Sequence, residues 1–210
     1  MHRLEEFRSP ACPTGGTWER LLAIAAMVRD QYVVQLDSDT LTIGAIDEVR
    51  ECVARQAPFA LGTWDRQKTE PMRERWETAR KLSGRAAEHV QVVAEANFDR
   101  LRGFGSMRYV RGCSGFAGFA PRSFERGFVE DISGQMRAAI GAKWDEWGSE
   151  QVMSNIVIAN VADAIVLPHP KYADCHKMRP GVTEFVHFIG SCRFDGGRYG
   201  RLGAQLIATL

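Results

Sequence analysis

The chain has 210 residues, 45% of them hydrophobic and 25% charged, with a formal net charge of +1. This is the profile of a soluble globular protein, without the global field that would draw it to nucleic acid or a membrane surface. No apolar run is long enough to span a bilayer, and the opening "MHRLEEFRSP" lacks the apolar core of a signal peptide, so a cytoplasmic protein is expected.

In chain order, residues 17–30, "TWERLLAIAAMVRD", set Leu21, Ile24, Ala25 and Val28 at helical spacing, with Thr17 placed to cap. "YVVQL" reads as a strand too apolar to face water on both sides. "IDEVRECVARQ" reads as a short helix and "FALGT" as a second strand. Residues 71–101 read as one or two helices, with Pro71 in the first turn and a break near "LSGR". "MRYVRGCSGFAGFAP" reads as strand, glycine-rich turn and strand. Helices over 122–141 and 149–160, the second opened by Ser149 and Glu150, precede the strands "DAIVLP" and "EFVHFIG". From Arg198 the helical spacing predicts a last helix packed across the sheet. The alternation predicts a single α/β domain with a mixed, mostly parallel sheet and flanking helices. The five cysteines, Cys12, Cys52, Cys113, Cys175 and Cys192, are odd in number and contain no CxxC, which reads as reduced thiols.

The stretch "YVVQLDSDTL" ends an apolar strand in Asp37 and Asp39. Side chains i and i+2 on a strand share a face. If the strand persists, both carboxylates leave its C-terminal end together, where open α/β sheets bind ligands. Two like charges ~4 Å apart repel by roughly 1 kcal/mol in water and roughly 4 kcal/mol at a protein-like dielectric. A magnesium or manganese ion relieves that repulsion, because carboxylate oxygens suit both. Leu41 at the fifth position does not fit the DxDxT or DxDxV of haloacid-dehalogenase phosphatases, and Leu41 with Thr42 rules out an EF-hand loop. The plain alternative, Asp39 capping a turn and Asp37 solvated, stays open.

His187 in "FVHFI" reads either as a third ligand or as a hydrogen-bonded core histidine. His169 and His176 read as solvated loop residues, Cys175-His176 lacking a second pair for zinc, and His2 and His89 read as surface. Gly112, Gly115 and Gly118 form either a bulged turn or a backbone that a sugar can approach. Trp144 and Trp147 pack in the core or stack on an acceptor sugar, and Gly15-Gly16 lacks a full phosphate-loop pattern.

The strand, the DxD and "LTIGAIDEV" resemble the metal-binding motif of GT-A glycosyltransferases. "FALGTWD", "GSEQVMSNIVIAN" and "FVHFIGSCRF" follow in matching order and resemble segments of family 8, the glycogenin and bacterial galactosyltransferase relatives, over roughly residues 14–205. The resemblance implies a partial GT-A fold in which Asp37, Asp39 and His187 bind Mn2+ or Mg2+. It implies contacts to a nucleotide diphosphate from Asp37, Gly190 and Arg193, the last standing where the family has lysine. It places Glu150 and Gln151, with Asn155 on the same side, at the reacting sugar. The implied partners are a UDP-linked nucleotide-sugar donor and a carbohydrate or other hydroxyl acceptor. The family also carries a βαβ nucleotide-binding half ahead of the DxD strand, whereas only Met1–Gln31 precede that strand here. The expectation is therefore an N-terminally shortened domain whose strand at 32–36 is an exposed edge open to self-association. The alternative is a non-catalytic sugar- or metal-binding remnant acting as a binding or assembly module.

Overall fold

The structure, a computed structural model, describes residues 4–82 and 88–209; the expected break near "LSGR" and the surface assignment of His2 lie outside the described residues. Helix α1 spans Trp18–Met27 and leads into strand β1, Val33–Leu36. Strand β2 (Thr40–Thr42), helix α2 (Asp47–Arg55), strands β3 (Phe59–Leu61) and β4 (Glu70–Pro71), and helices α3 (Met72–Leu82) and α4 (Val90–Ala96) follow. Next come β5 (Arg108–Tyr109), β6 (Cys113–Phe119), α5 (Arg126–Ile140) and α6 (Ser149–Ala159). Strands β7 (Ile165–Val166), β8 (Tyr172–Asp174) and β9 (Phe185–His187), a 3-10 segment at Gly190–Gly197, and α7 (Arg198–Ile207) complete the chain.

The strands form a four-stranded sheet in the order β1-β6-β3-β7, a three-stranded sheet β2-β9-β8, and the pair β4-β5. Mixed pairing was expected, but the mostly parallel sheet is not observed. β6 runs antiparallel to both β1 and β3, and β2 runs antiparallel to β9; among the described residues only β3 with β7 and β8 with β9 are parallel. The reason lies between β3 and β6. Helices α3 and α4 pack on each other instead of crossing the sheet, so Leu61 at the end of β3 lies opposite Cys113 at the start of β6. The chain re-enters where it left, and its direction reverses.

Strand alternation explains the two main cores. Ala117 and Phe119 of β6 point into a helical core with Trp18, Leu21 and Leu22 of α1, Val129 and Ile132 of α5, and Val152, Met153 and Ile156 of α6. Helix α6 is buried on almost every side, its polar Ser149, Glu150, Ser154 and Asn155 as well as its apolar residues. Phe116 points the other way, stacking on Phe185 at 4.1 Å between centroids and packing near Phe59 and Tyr172. This aromatic cluster fixes the small sheet on the large one. The final helix does not cross the main sheet. It has no fully buried residue and leans Tyr199 and Leu202 on a third cluster around Val186 and Phe188.

The thiols also depart from expectation. Cys175 and Cys192 are joined as a disulfide, while Cys12, Cys52 and Cys113 are free. Nothing in their 17-residue separation signals the pairing; it follows from the turn that brings the segment after β9 back beside the end of β8. Among the described residues, no helix is long and apolar enough to cross a membrane.

Candidate metal centre and cleft

Strand β1 stops at Leu36, one residue before Asp37. Strand geometry does not persist through the pair, since a turn at Ser38 and Asp39 carries the chain from the large sheet to β2 of the small one. The turn is held tightly. Asp37 N–H donates to the Gly115 carbonyl at 2.9 Å, Thr40 Oγ1 donates to the Asp37 carbonyl at 2.8 Å, and Phe188 N–H donates to the Asp39 carbonyl at 2.8 Å. Both carboxylates nonetheless face one cleft of about 630 Å³, which also takes in Glu150, Gln151, His187, Gly190 and Arg193. Of the residues singled out for the site, Asp37, Asp39, Glu150, Gln151, His187, Gly190 and Arg193 border this common space, and Asn155 does not.

His187 ends β9, opposite Thr40 of β2 and Asp174 of β8. Across 148 residues of sequence, its Nε2 lies 3.1 Å from Asp39 Oδ1; it is also 3.5 Å from Asp37 Oδ2. Its Nδ1 lies 3.2 Å from Cys113 Sγ. One donor atom from each of Asp37, Asp39 and His187 falls within a 4.8 Å circle, a spacing that a single cation can bridge. A ring proton on Nδ1 donated to the Cys113 sulfur would leave the Nε2 lone pair facing the carboxylates, the tautomer a metal ligand needs. The row Cys113, His187, Asp39 also has the order of a thiol nucleophile with its base. Burial, reinforced by the charges of Asp37, Asp174 and Glu150, pushes the Cys113 thiol up to about 12, whereas a nucleophilic cysteine requires the opposite shift. Gly115 explains how the imidazole fits, because a Cβ there would overlap its ring.

Positive charge already sits on the pair. Arg20 of α1 hydrogen-bonds Asp37 Oδ1 and lies 3.7 Å from Glu150 Oε2. Arg193 Nη1 lies 3.1 Å from Asp39 Oδ2, while its Nε donates to the Gly190 carbonyl at 3.0 Å. Gly190 has a φ of +55°, in the left-handed region that glycine tolerates. Arg20 was missed because, in sequence, it is one more polar residue on an amphipathic helix.

Glu150 is buried at the start of α6. It accepts from Thr17 Oγ1 at 2.7 Å and Ser154 Oγ at 2.6 Å, and burial raises its pKa against the lowering effect of Arg20. Thr17 thus does not cap α1; it sits at φ +79° with its hydroxyl turned to Glu150. Gln151 accepts from Ser114 N–H at 3.1 Å and donates to Gln91 Oε1 at 3.3 Å. Asn155 is occupied structurally, donating to the Gly112 carbonyl at 2.9 Å beneath the cleft. Gly112 and Gly118 are packing glycines, since a Cβ would meet Leu61 O and Asn155 Oδ1 at the first and the Phe59 ring at the second.

The two tryptophans separate. Trp144 is core, edge-on to Trp18, whereas Trp147 stands 75% exposed at the cleft rim. His89 is exposed, as expected, and its Nδ1 accepts from Gln91 N–H at the border of the cleft. His169 is half-buried, while His176 is exposed. At Gly15-Gly16, the Gly15 N–H is taken by the Glu19 carboxylate, so no phosphate cradle is formed there. Comparison with protein-family models, curated proteins and solved structures returns no match.

Proposed function

We propose that the protein is a divalent-metal-dependent glycosyltransferase acting on a nucleotide-sugar donor, with a hydroxyl-bearing acceptor such as a carbohydrate. The observation that carries this reading is the meeting of Asp37, Asp39 and His187 in a cleft that also holds Arg20, Arg193 and Glu150. The donor set of two carboxylates and an imidazole fits manganese, and magnesium less well, because magnesium prefers an all-oxygen shell. Such a cation would supply Lewis-acid stabilisation of charge growing on a leaving diphosphate. Arg20 and Arg193 would turn from the carboxylates to the phosphates. Arg20 Nε is already buried without a hydrogen-bond partner among the described residues. Glu150 and Gln151 would orient the sugar or its acceptor, and Trp147 offers an aromatic face at the entrance.

The test is manganese-dependent release of nucleoside diphosphate across a panel of nucleotide sugars. Asp39→Asn is expected to abolish it, and His187→Ala to weaken manganese binding more than magnesium binding. Equal loss for both metals would remove His187 from the ligand set. A second reading, a non-catalytic sugar- or metal-binding module, is favoured by one observation: Arg20 and Arg193 each ion-pair with one of the aspartates. It predicts ligand binding with no turnover on any donor.

A further inference from the structure

We propose that Cys175, His176 and Cys192 form a second metal site, a thiolate site for zinc or a cation of similar softness, available when the Cys175–Cys192 disulfide is reduced. The proposal is independent of the glycosyltransferase reading. One donor atom from each residue lies within 4.8 Å of the others. Zinc–sulfur bonds of ~2.3 Å and a zinc–nitrogen bond of ~2.0 Å at tetrahedral angles separate donors by roughly 3.5–3.8 Å, so small side-chain rotations suffice.

The backbone beneath these donors is fixed from three directions. Cys175 N–H donates to the His187 carbonyl at 3.0 Å, His176 N–H to Asp174 Oδ1 at 2.9 Å, and Cys192 N–H to the Ile189 carbonyl at 3.1 Å. Both sulfurs are buried, whereas His176 is exposed and borders the cleft, so a fourth coordination position would open toward solvent. The sulfur and nitrogen donors select zinc, in contrast to the oxygen-rich set at Asp37 and Asp39.

The chemistry balances. A phosphine gives two electrons to the S–S bond and takes oxygen from one water, whose two protons complete the thiols, so it ends as phosphine oxide; a dithiol gives two electrons and its own two protons and ends as a disulfide. Metal binding then releases both thiol protons to solvent as two metal–sulfur bonds form. Disulfide and metal use the same sulfurs and exclude each other. Either one ties the segment carrying Arg193 to the end of β8; the reduced, metal-free chain lacks that tie.

The experiment reduces the full chain with a non-chelating phosphine under anaerobic conditions and titrates it with cobalt(II). A thiolate-to-cobalt charge-transfer absorption should appear, saturate at one equivalent and vanish on adding zinc. It should be absent from unreduced protein and from Cys192→Ser, survive in Cys113→Ser, and need at least tenfold more cobalt in His176→Ala. As a check that needs no variant, zinc should protect Cys175 and Cys192 of the reduced wild type from alkylation while leaving the labelling of Cys113 unchanged. No charge-transfer band in the reduced wild type, a band lost in Cys113→Ser instead of Cys192→Ser, or alkylation of Cys175 and Cys192 unaffected by zinc would each overturn the site.

Discussion

Replacing Arg20 with methionine should strengthen manganese binding. The Arg20 guanidinium hydrogen-bonds Asp37 Oδ1, on the same carboxylate whose Oδ2 faces His187, so its positive charge competes with a cation for that carboxylate. Opposite charges in contact are worth roughly 1 kcal/mol in water and roughly 4 kcal/mol at a protein-like dielectric. Both partners are between a quarter and a third exposed, at 29% and 28%, which places the pair toward the lower figure, about 1–2 kcal/mol. Removing it should lower the manganese dissociation constant about tenfold. Arg193, whose side chain is 41% exposed against Asp39, should give a smaller gain on the same substitution. Isothermal titration, or the spin-resonance signal of free manganese, reads both. Melting curves should confirm a folded variant, because Glu150 keeps Thr17 and Ser154 but loses the charge that lowers its pKa. Unchanged or weaker binding in folded Arg20→Met would refute competition between the arginine charge and the metal.

Gly115→Ala should displace the His187 ring, cost about 1–3 kcal/mol of stability through overpacking, and weaken manganese binding at least tenfold; Gly134→Ala, with open space around its Cβ, should leave binding unchanged. Glu95 is fully buried beside Arg111 and has its pKa raised by burial from 4.5 to about 7, against the opposing pull of Arg111 and Arg75. Between those values the folded chain holds a proton that the unfolded chain has released, so stability should fall by about 3 kcal/mol as pH rises from 4.5 to 7 and then level off. Denaturant titrations should show that slope disappearing in Glu95→Gln; a parallel slope in the variant would refute the assignment. Strand β1 exposes Val34 and Leu36 on an edge that has no partner on its outer side among the described residues, so sedimentation should show concentration-dependent association that Leu36→Lys reduces.

The long elements were legible because periodicity marks them. Helices α1, α5 and α6, and the strands ending at Leu36 and His187, fall within a few residues of expectation. Strands β2 and β8 were not, since three residues carry no usable period and "KYADCHK" reads as polar loop. Tyr172 and Ala173 are nevertheless fully buried, because the parallel partner β9 lies beside them. Strand direction was misjudged for a similar reason: alternation of helix and strand cannot show whether intervening helices cross a sheet or fold back. In the site, Asp37, Asp39 and His187 were visible as residue types that are costly where they stand. Arg20, Thr17 and Cys113 were not, since each is ordinary in its local context and gains a role only through a distant partner.

Those distant partners explain why an apolar strand can end in two carboxylates. Their charge is compensated by Arg20 from α1 and Arg193 from the segment after β9, and the His187 ring at the end of β9 closes on both. Three elements far apart in sequence are thereby drawn to one turn, so the compensation also fastens α1 and the small sheet to the end of β1. It is incomplete as a resting arrangement, since Arg20 also serves Glu150 and keeps a buried Nε without a partner among the described residues. On the proposed reading, a cation that takes the carboxylates sets both arginines free, and an anionic ligand entering the cleft finds them unpaired. An anion that holds the arginines likewise clears the carboxylates for the cation. Each ligand removes what opposes the other, so metal and diphosphate should bind with positive coupling. Linkage requires the factor to be equal in both directions. Titrating manganese with and without nucleoside diphosphate, and the diphosphate with and without manganese, measures that factor twice. Two equal factors above one are expected; a factor of one would mean that the arginines never leave the aspartates, and that the charges in this cleft are there to hold the fold.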